Sequence, residues 1–421
     1  MNPDTSNPDA VIIIGGGAAG LATAIFAARA GMKAGGGPSI VLVDRAKSLG
    51  AKILVSGGSR CNVTNALVEA GDFWRAGSPF VRQVLRAFPV PETIAFFEEI
   101  GVSLCEEPLG KLFPTTSKSR TVLDALITEA RRVGVEIRAS CRVLGLALDN
   151  GRFLVLTAEG ALRASRVVVA TGGLSLPKTG SDGAGYAMAK AFGHTLVPTT
   201  PALEPLILGG DFHAPLSGMA HDAALRLTPA GGTAITLRGS LLWTHFGISG
   251  PLALDASRFI RRTRIEGSPA EVRLSFLPDL TAEMVDRHLI NAGRDRPHHA
   301  ASTELARSFR LTQAVAARLV EHTLGSDQPL SKFTRERRRK LVQALTAFPL
   351  NVTDGRGYNF AEVTSGGIAL EEVNPKTMES RIVPGLFFVG EILDVDGRIG
   401  GFNFQWAWAT AKVAGRALGL K

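Results

Sequence analysis

Cysteine is scarce in this chain. Its 421 residues hold three, Cys61, Cys105 and Cys141. They form no CxxC pair and no zinc-ligand spacing, which excludes a disulfide framework and a structural zinc site as organising devices; no metal is expected. That usage fits a reducing compartment, so a cytoplasmic protein is expected. The first ten residues are polar and lack a basic segment, so no secretory leader is expected. Acidic residues are outnumbered: 38 Asp and Glu against 47 Lys and Arg leave a formal charge of +9, which keeps anionic partners open. An uncharged stretch long enough to cross a bilayer occurs at residues 10–28, but Gly15-Gly16-Gly17 would serve a spanning helix poorly. A strand, a turn and a helix explain it better, and no membrane partner is expected.

What that stretch does contain organises the chain. A short apolar strand at 10–14 runs into Gly15-x-Gly17-x-x-Gly20 and then into an alanine-rich helix from about 18 to 30. Gly15 permits the tight turn, Gly17 lets a pyrophosphate approach the backbone, and Gly20 lets the helix pack on the strand. The helix start offers free N–H groups and a positive dipole end to the phosphate. A second strand at 40–44 ends in Asp44, an acid placed to bind the ribose hydroxyls of an adenosine. Asp44 lies 24 residues beyond Gly20, and the flexible AGGGPS link at 34–39 accounts for the extra length. No second strand–GxGxxG–helix unit follows. GSDGAG at 180–185 lacks the flanking elements, so a resident nicotinamide domain is not expected.

The stretch 49–65, LGAKILVSGGSRCNVTN, reads as a loop able to wrap a polar ligand with backbone N–H groups; it carries Lys52 and Arg60. Helices are expected at 91–100 and about 121–133. Strands are expected around 135–148 and 152–158, joined by a turn at Asp149-Asn150-Gly151. RVVVAT at 166–171 is a buried strand, so 135–158 forms a meander inserted into a nucleotide-binding sheet. From about Leu196 the composition changes. Short strand-like runs, including 224–227 and 233–237, precede LLWTHFGISGPLAL at 241–254, and 281–340 is mostly helical and basic. Over 251–350 there are 17 Lys and Arg against 11 Asp and Glu. GLFFVGEILD at 385–394 and a helix opening on Gly400-Gly401 return to nucleotide-binding texture. The expected architecture is α/β: a Rossmann-type domain built from both chain ends, 1–195 and 351–421, with an inserted domain at 196–350 that is β-rich and then helical.

SGGSRCNVTN, VVVATGGLSLPKTGSDG, LLWTHFGISGP, TSGGI and GLFFVGEILDVDGRIGGFNFQWAWATAKVAG occur in this order. In these motifs the chain resembles the HI0933-like family of bacterial flavoproteins, also described as aminoacetone-oxidase-like or BaiN-like, over nearly its whole length. The resemblance implies non-covalent FAD. It implies that Gly15, Gly17 and Gly20 sit on the pyrophosphate and Asp44 on the adenosine ribose, with Ala18, Ala19, Arg45 and Lys52 also among the cofactor-binding residues. Ser56, Gly57, Arg60, Cys61, Asn62 and Asn65 are implied on the flavin side. Val143, the Ala170-Thr171-Gly172 turn, and Gly390 with Glu391 against the ribityl chain or ribose are implied as well. Gly401, Asn403 and Gln405 are implied near the pyrimidine end of the flavin. Ser59 stands where many relatives have glycine, and a positive φ there would strain it.

The flavin carries the reactivity and the protein supplies orientation and electrostatics. Either NAD(P)H visits the flavin briefly, or the substrate supplies electrons and oxygen accepts them. Cys61 is a candidate thiol relay, but no other cysteine lies within forty residues of it, and a small packed residue is the competing role. His245 is a candidate acid or base, or a satisfied structural histidine. His298 and His299 are expected in an exposed loop without the other ligands a metal needs. The resemblance implies two competing functions: an FAD-dependent oxidoreductase acting on a small molecule by C=C reduction or amine oxidation, and a flavoenzyme reducing a uridine of ribosomal RNA to dihydrouridine. The run RERRRK at 335–340 bears on the second, since it offers charges to phosphates but no aromatic platform for bases. A non-catalytic flavin scaffold is disfavoured by so motif-rich a pocket.

Overall fold

The computed structural model describes residues 10–74 and 78–419; the polar N-terminal stretch ahead of Ala10 lies outside them. The chain divides into two compact units, one of residues 1–201 and 362–421, the other of residues 202–361.

The first unit is built on a five-stranded parallel sheet in the order Leu386–Phe388, Arg166–Val169, Val11–Ile14, Ile40–Val43, Glu136–Arg138. Its three central strands are VVV, VIII and IVLV runs with nearly every side chain buried, as a parallel sheet covered on both faces requires. The Ala18–Lys33 helix packs along the final helix, Phe402–Gly419, through small residues: a Cβ on Gly415 would lie 2.5 Å from that of Phe26, and one on Gly419 would press on Ala30. Three smaller sheets complete the unit: Thr64–Asn65 with Lys111–Pro114 and Leu104–Glu107, Val143–Asp149 with Arg152–Thr157 and Gly160–Ala164, and Leu196–Ala202 with Val363–Ile368.

Three local expectations are corrected here. The segment expected as one strand over 135–148 is two, Glu136–Arg138 in the parallel sheet and Val143–Asp149 in the meander, because the chain turns sharply at Ser140 with φ +58°. The stretch after Leu49 is not all loop. Ala51–Ser59 is helical up to a break at Ser56, Gly57 and Gly58, where the two glycines adopt left-handed φ. The unit boundaries fall at 201/202 and 361/362 rather than 195/196 and 350/351. The Leu196–Ala202 strand pairs with Val363–Ile368, while Val352–Gly355 pairs with Leu206–Leu208.

The second unit holds a seven-stranded sheet in the order Phe348–Pro349, Ala270–Ser275, Ala220–Pro229, Ile235–Thr244, Gly247–Ser249, Leu206–Leu208, Val352–Gly355. Its two edge strands are consecutive in sequence, so the sheet curls on itself. Leu350 N–H donates to Val272 O (2.9 Å) on one side and Asn351 O accepts from Gly209 N–H (2.8 Å) on the other. Phe212, Trp243, Phe276 and Phe348 fill its interior. The Gly250–Ile265 helix covers it, and helices Ala282–Asp295, Ala301–Phe309, Gln313–Leu324 and Arg335–Ala347 share its core. No helix among the described residues is long and apolar enough to cross a membrane.

Candidate dinucleotide and flavin site

In the first unit the Val11–Ile14 strand lies between Arg166–Val169 and Ile40–Val43, so the connections leave it in opposite directions, and a crevice opens at the carboxyl ends of these strands. Gly15, Asp44, Ala170 and Gly390 all follow directly on, or within two residues of, such an end. Gly15 has φ +109°, and a Cβ there would lie 2.5 Å from Ala170 O. A Cβ on Gly20 would overlap Gly15 O. Gly17 differs from both: a Cβ there would meet nothing within 4 Å. Gly15 and Gly20 are therefore required by the chain itself, whereas the space at Gly17 is one a ligand would fill. Gly17 caps the following helix with no side-chain hydrogen bond, and no acid occupies the first turn. The N–H groups of Ala18, Ala19 and Gly20 therefore have no side-chain cap, the arrangement that could receive a phosphate.

Asp44 Oδ2 accepts from Gly16 N–H (2.6 Å) and Oδ1 from Ala46 N–H (2.7 Å), which fixes the carboxylate beside the glycine turn with lone pairs to spare. Arg45 is paired with Asp182, tying the turn after the second strand to the 180–183 segment.

On the far side of the glycine turn, four residues distant in sequence converge. Lys52 Nζ lies 2.6 Å from Glu391 Oε2 and donates to Ser175 Oγ (2.5 Å). Ser175 Oγ–H donates to Glu391 Oε1 (2.8 Å), which also accepts from Thr364 N–H (3.0 Å). Thr364 Oγ1 in turn accepts from the N–H groups of Leu174 and Ser175. Glu391 is thus oriented by three donors and Lys52 is locked against it. Ser175 and Thr364 were not marked individually by sequence, although both stand in quoted motifs. The signal was present, but their meeting depends on topology.

The 56–62 segment wraps tightly. Ser59 has φ +65° and Cys61 φ +62°, so the serine at a position suited to glycine stores strain on the order of 1–2 kcal/mol. Ser56 Oγ–H donates to Ile53 O (2.7 Å), and Cys61 N–H to Ser56 O (3.1 Å). Arg60 pairs with Glu107 (2.6 Å) and lies 4.1 Å over the Phe113 ring. Cys61 is fully buried, and burial pushes its thiol up to about 12. It is a packed thiol rather than a thiolate, which removes it as a ready nucleophile. Asn62 Oδ1 is buried without a partner, an orphaned acceptor that a bound donor would satisfy. Thr171 Oγ1 is also buried without a partner, but it faces Gly185. Val143 is a buried strand residue.

Three implied contacts have other partners. Asn65 Nδ2 donates to Leu109 O and Gly400 O, and its Oδ1 accepts from Leu67 N–H. Asn403 spans the Gly397 peptide, accepting from its N–H (2.7 Å) and donating to its O (2.9 Å). Gln405 is fully buried between Thr64 Oγ1 (2.7 Å) and Phe88 O (2.8 Å). These side chains brace the loops around Gly401 instead of presenting free polar atoms. A Cβ on Gly401 would press on the Thr64 backbone, and no acid occupies the first turn of the helix that follows.

In the second unit, His245 is not a satisfied structural histidine. It sits exposed on the two-residue turn between Ile235–Thr244 and Gly247–Ser249, its ring edge-on to Phe246. His298 is exposed, but His299 approaches Glu304. No cluster of metal ligands occurs among the described residues. The basic run is partly consumed: Arg337 Nη2 donates to Leu324 O (3.2 Å), and Arg338 pairs with Asp286 (2.6 Å).

An open glycine cradle, uncapped N–H groups and an orphaned acceptor together fit a bound dinucleotide carrying a flavin. The HI0933-like protein Rossmann domain matches residues 9–417. A 3-dehydro-bile acid delta(4,6)-reductase of Clostridium scindens is 34% identical over 96% of this chain and 98% of its own. A ribosomal RNA dihydrouridine synthase of Escherichia coli is 34% identical over 95% of each. Among solved structures, a 3-ketosteroid-delta4-(5alpha)-dehydrogenase from Rhodococcus jostii RHA1 aligns over 99% of this chain and 98% of its own, with a TM-score of 0.47 and 16% identity. The chain belongs to the HI0933-like family and is an FAD-dependent oxidoreductase.

Proposed function

We propose that the protein reduces a carbon–carbon double bond conjugated to a carbonyl in a small molecule, with NAD(P)H as electron donor. The observation that carries this reading is the common chemistry of the two relatives' names. The names 3-dehydro-bile acid delta(4,6)-reductase and ribosomal RNA dihydrouridine synthase each denote saturation of a C=C bond, which in a 3-dehydro-bile acid or a uridine is conjugated to a carbonyl. The balance is an enone, NAD(P)H and a proton giving a saturated ketone and NAD(P)+. FAD, when bound, supplies hydride chemistry between the two.

In this reading Gly17 and the N–H groups of residues 18–20 hold the pyrophosphate and Asp44 orients the adenosine ribose. Glu391, held by Lys52 and Ser175, orients the ribityl hydroxyls, and Asn62 Oδ1 accepts from the flavin ring. The five-stranded sheet is the one parallel sheet among the described residues, which supports a visiting rather than a resident nicotinamide. The high thiol pKa of Cys61 disfavours a thiol relay.

The test is anaerobic. FAD-loaded protein is reduced with limiting NADPH or NADH, then offered a cyclic enone or a ribosomal RNA fragment while flavin absorbance is followed. Reoxidation by the enone supports the proposal. Reoxidation by the RNA alone moves the assignment to uridine reduction, which the Escherichia coli relative favours. In a separate arm an amine is offered to the oxidised protein, and bleaching of the flavin there reverses the proposed direction of chemistry.

A further inference from the structure

In the second unit, the loop after the Val352–Gly355 strand presents a cation clamped between two aromatic rings. The Arg356 guanidinium carbon lies 3.5 Å from the centroid of Phe360 and 4.6 Å from that of Phe246. The rings are set by backbone. Phe246 O accepts from Leu208 N–H (3.1 Å), and the N–H groups of Phe360 and Ala361 both donate to Gly357 O (3.0 and 3.1 Å), closing a tight turn. Gly357 N–H is tied to the buried Glu204, and Arg356 N–H donates to Pro205 O (3.1 Å). No carboxylate among the described residues pairs with Arg356. The neighbouring acids are committed to Arg261: Glu204 at 2.6 Å and Asp354 at 2.5 Å. Phe360 is 46% exposed, a large apolar ring kept at the surface.

We propose that this sandwich is a binding site for the carboxylate of a small molecule with an apolar body. With its carbon held over two rings and no carboxylate paired with it, the guanidinium has its N–H donors as the part still seeking a partner, and that planar fork matches a carboxylate in bidentate geometry. Stacking fixes the side chain in advance, so little rotamer freedom remains to be lost on binding. The exposed ring of Phe360 beside the fork offers apolar contact to whatever carries the carboxylate. This inference does not rest on the redox reading; it concerns recognition by one unit and is read by binding alone.

The experiment titrates full-length, FAD-loaded protein with 3-phenylpropionate, its methyl ester and inorganic phosphate by calorimetry. The expected result is saturable binding of the carboxylate, at least tenfold weaker binding of the ester, and at least a tenfold loss in Arg356→Gln. A severalfold loss is expected in Phe360→Ala, which keeps the charge. Arg356→Lys, which keeps the charge but not the fork, is expected to weaken binding too and stands in if the glutamine variant fails to match the parent in melting and FAD content. Absence of saturable binding, equal binding of ester and acid, or undiminished affinity in the Arg356 variants overturns the proposal. Phosphate binding more tightly than the carboxylate overturns the ligand class.

Discussion

The three glycines of the first turn separate what the fold needs from what the cofactor needs. A side chain at Gly17 meets open space, so Gly17→Val is expected to leave the melting temperature of the flavin-free protein nearly unchanged and to lower FAD content at least tenfold. Gly20→Ala drives a methyl group into the Gly15 carbonyl, and its cost of roughly 1–3 kcal/mol should appear in the flavin-free protein as well. Equal melting of the two variants would contradict this division. Cys61 makes a second residue-scale prediction. With its thiol fully buried and titrating at about 12, it should resist a thiol reagent in the native protein and react only on unfolding. Cys61→Ser should keep FAD and turnover while losing about 1–3 kcal/mol of stability, because the new hydroxyl is buried. Rapid labelling of Cys61 in the folded protein would restore the relay role. The glycine motif and Asp44 were legible because their logic is local: a strand, a turn, a helix and an acid at the next strand end. The left-handed φ of Cys61 and the orphaned Asn62 acceptor were not, since no residue type announces either.

Among the elements, two helices of the second unit are joined through one buried carboxylate. Glu304, on the Ala301–Phe309 helix, is fully buried and accepts both arms of Arg296 (2.9 and 2.7 Å) and Ser308 Oγ–H (2.6 Å), with His288 and His299 each at 3.3 Å. Chiefly through Arg296, its carboxyl is held at about 2. A folded value below the unfolded one of about 4.3 means its stabilisation is complete above that pH and is lost as pH falls toward 2, a change on the order of 2–3 kcal/mol. Glu304→Gln should lower stability by roughly 3 kcal/mol at pH 7 and flatten this acid limb in denaturant titrations at several pH values. An unchanged acid limb would show that other carboxylates dominate it. Element recognition by sequence followed the same line between local and distant causes. The apolar runs at 11–14, 40–43 and 166–169 declare buried strands. Gly160–Ala164 was missed because GALRA carries no such pattern and becomes a strand by pairing with Arg152–Thr157. The short helix after Gly50 was obscured by the glycines and serines that end it.

At the scale of the whole molecule, the basic run at 335–340 offers less free charge than its composition implies. Arg338 joins its helix to Asp286 of another, and Arg337 donates to the carboxyl end of a third. Arg335 and Arg339 are exposed. Replacing those two with alanine should preserve FAD content and enone turnover, while Arg338→Ala should lower thermal stability by about 1 kcal/mol. Loss of salt-dependent RNA binding together with turnover in the double variant would favour the RNA reading. The cluster of Lys52, Ser175, Thr364 and Glu391 shows why so much of the site escaped a linear reading, since its members span more than three hundred positions and meet only once the sheet is ordered. That discontinuity has a consequence in time. During synthesis the glycine turn, Asp44 and Lys52 emerge early, and residues 202–361 emerge next as one uninterrupted unit able to collapse on its own core. The Leu386–Phe388 strand, Glu391 and the helix that packs against Ala18–Lys33 come last. Until they leave the ribosome the Arg166–Val169 strand has a bare edge, and Glu391, the acid proposed to orient the ribityl chain, is not yet in place. Cofactor capture is therefore confined to the end of translation, and the nascent chain spends most of its synthesis with half a cofactor site and an open sheet edge.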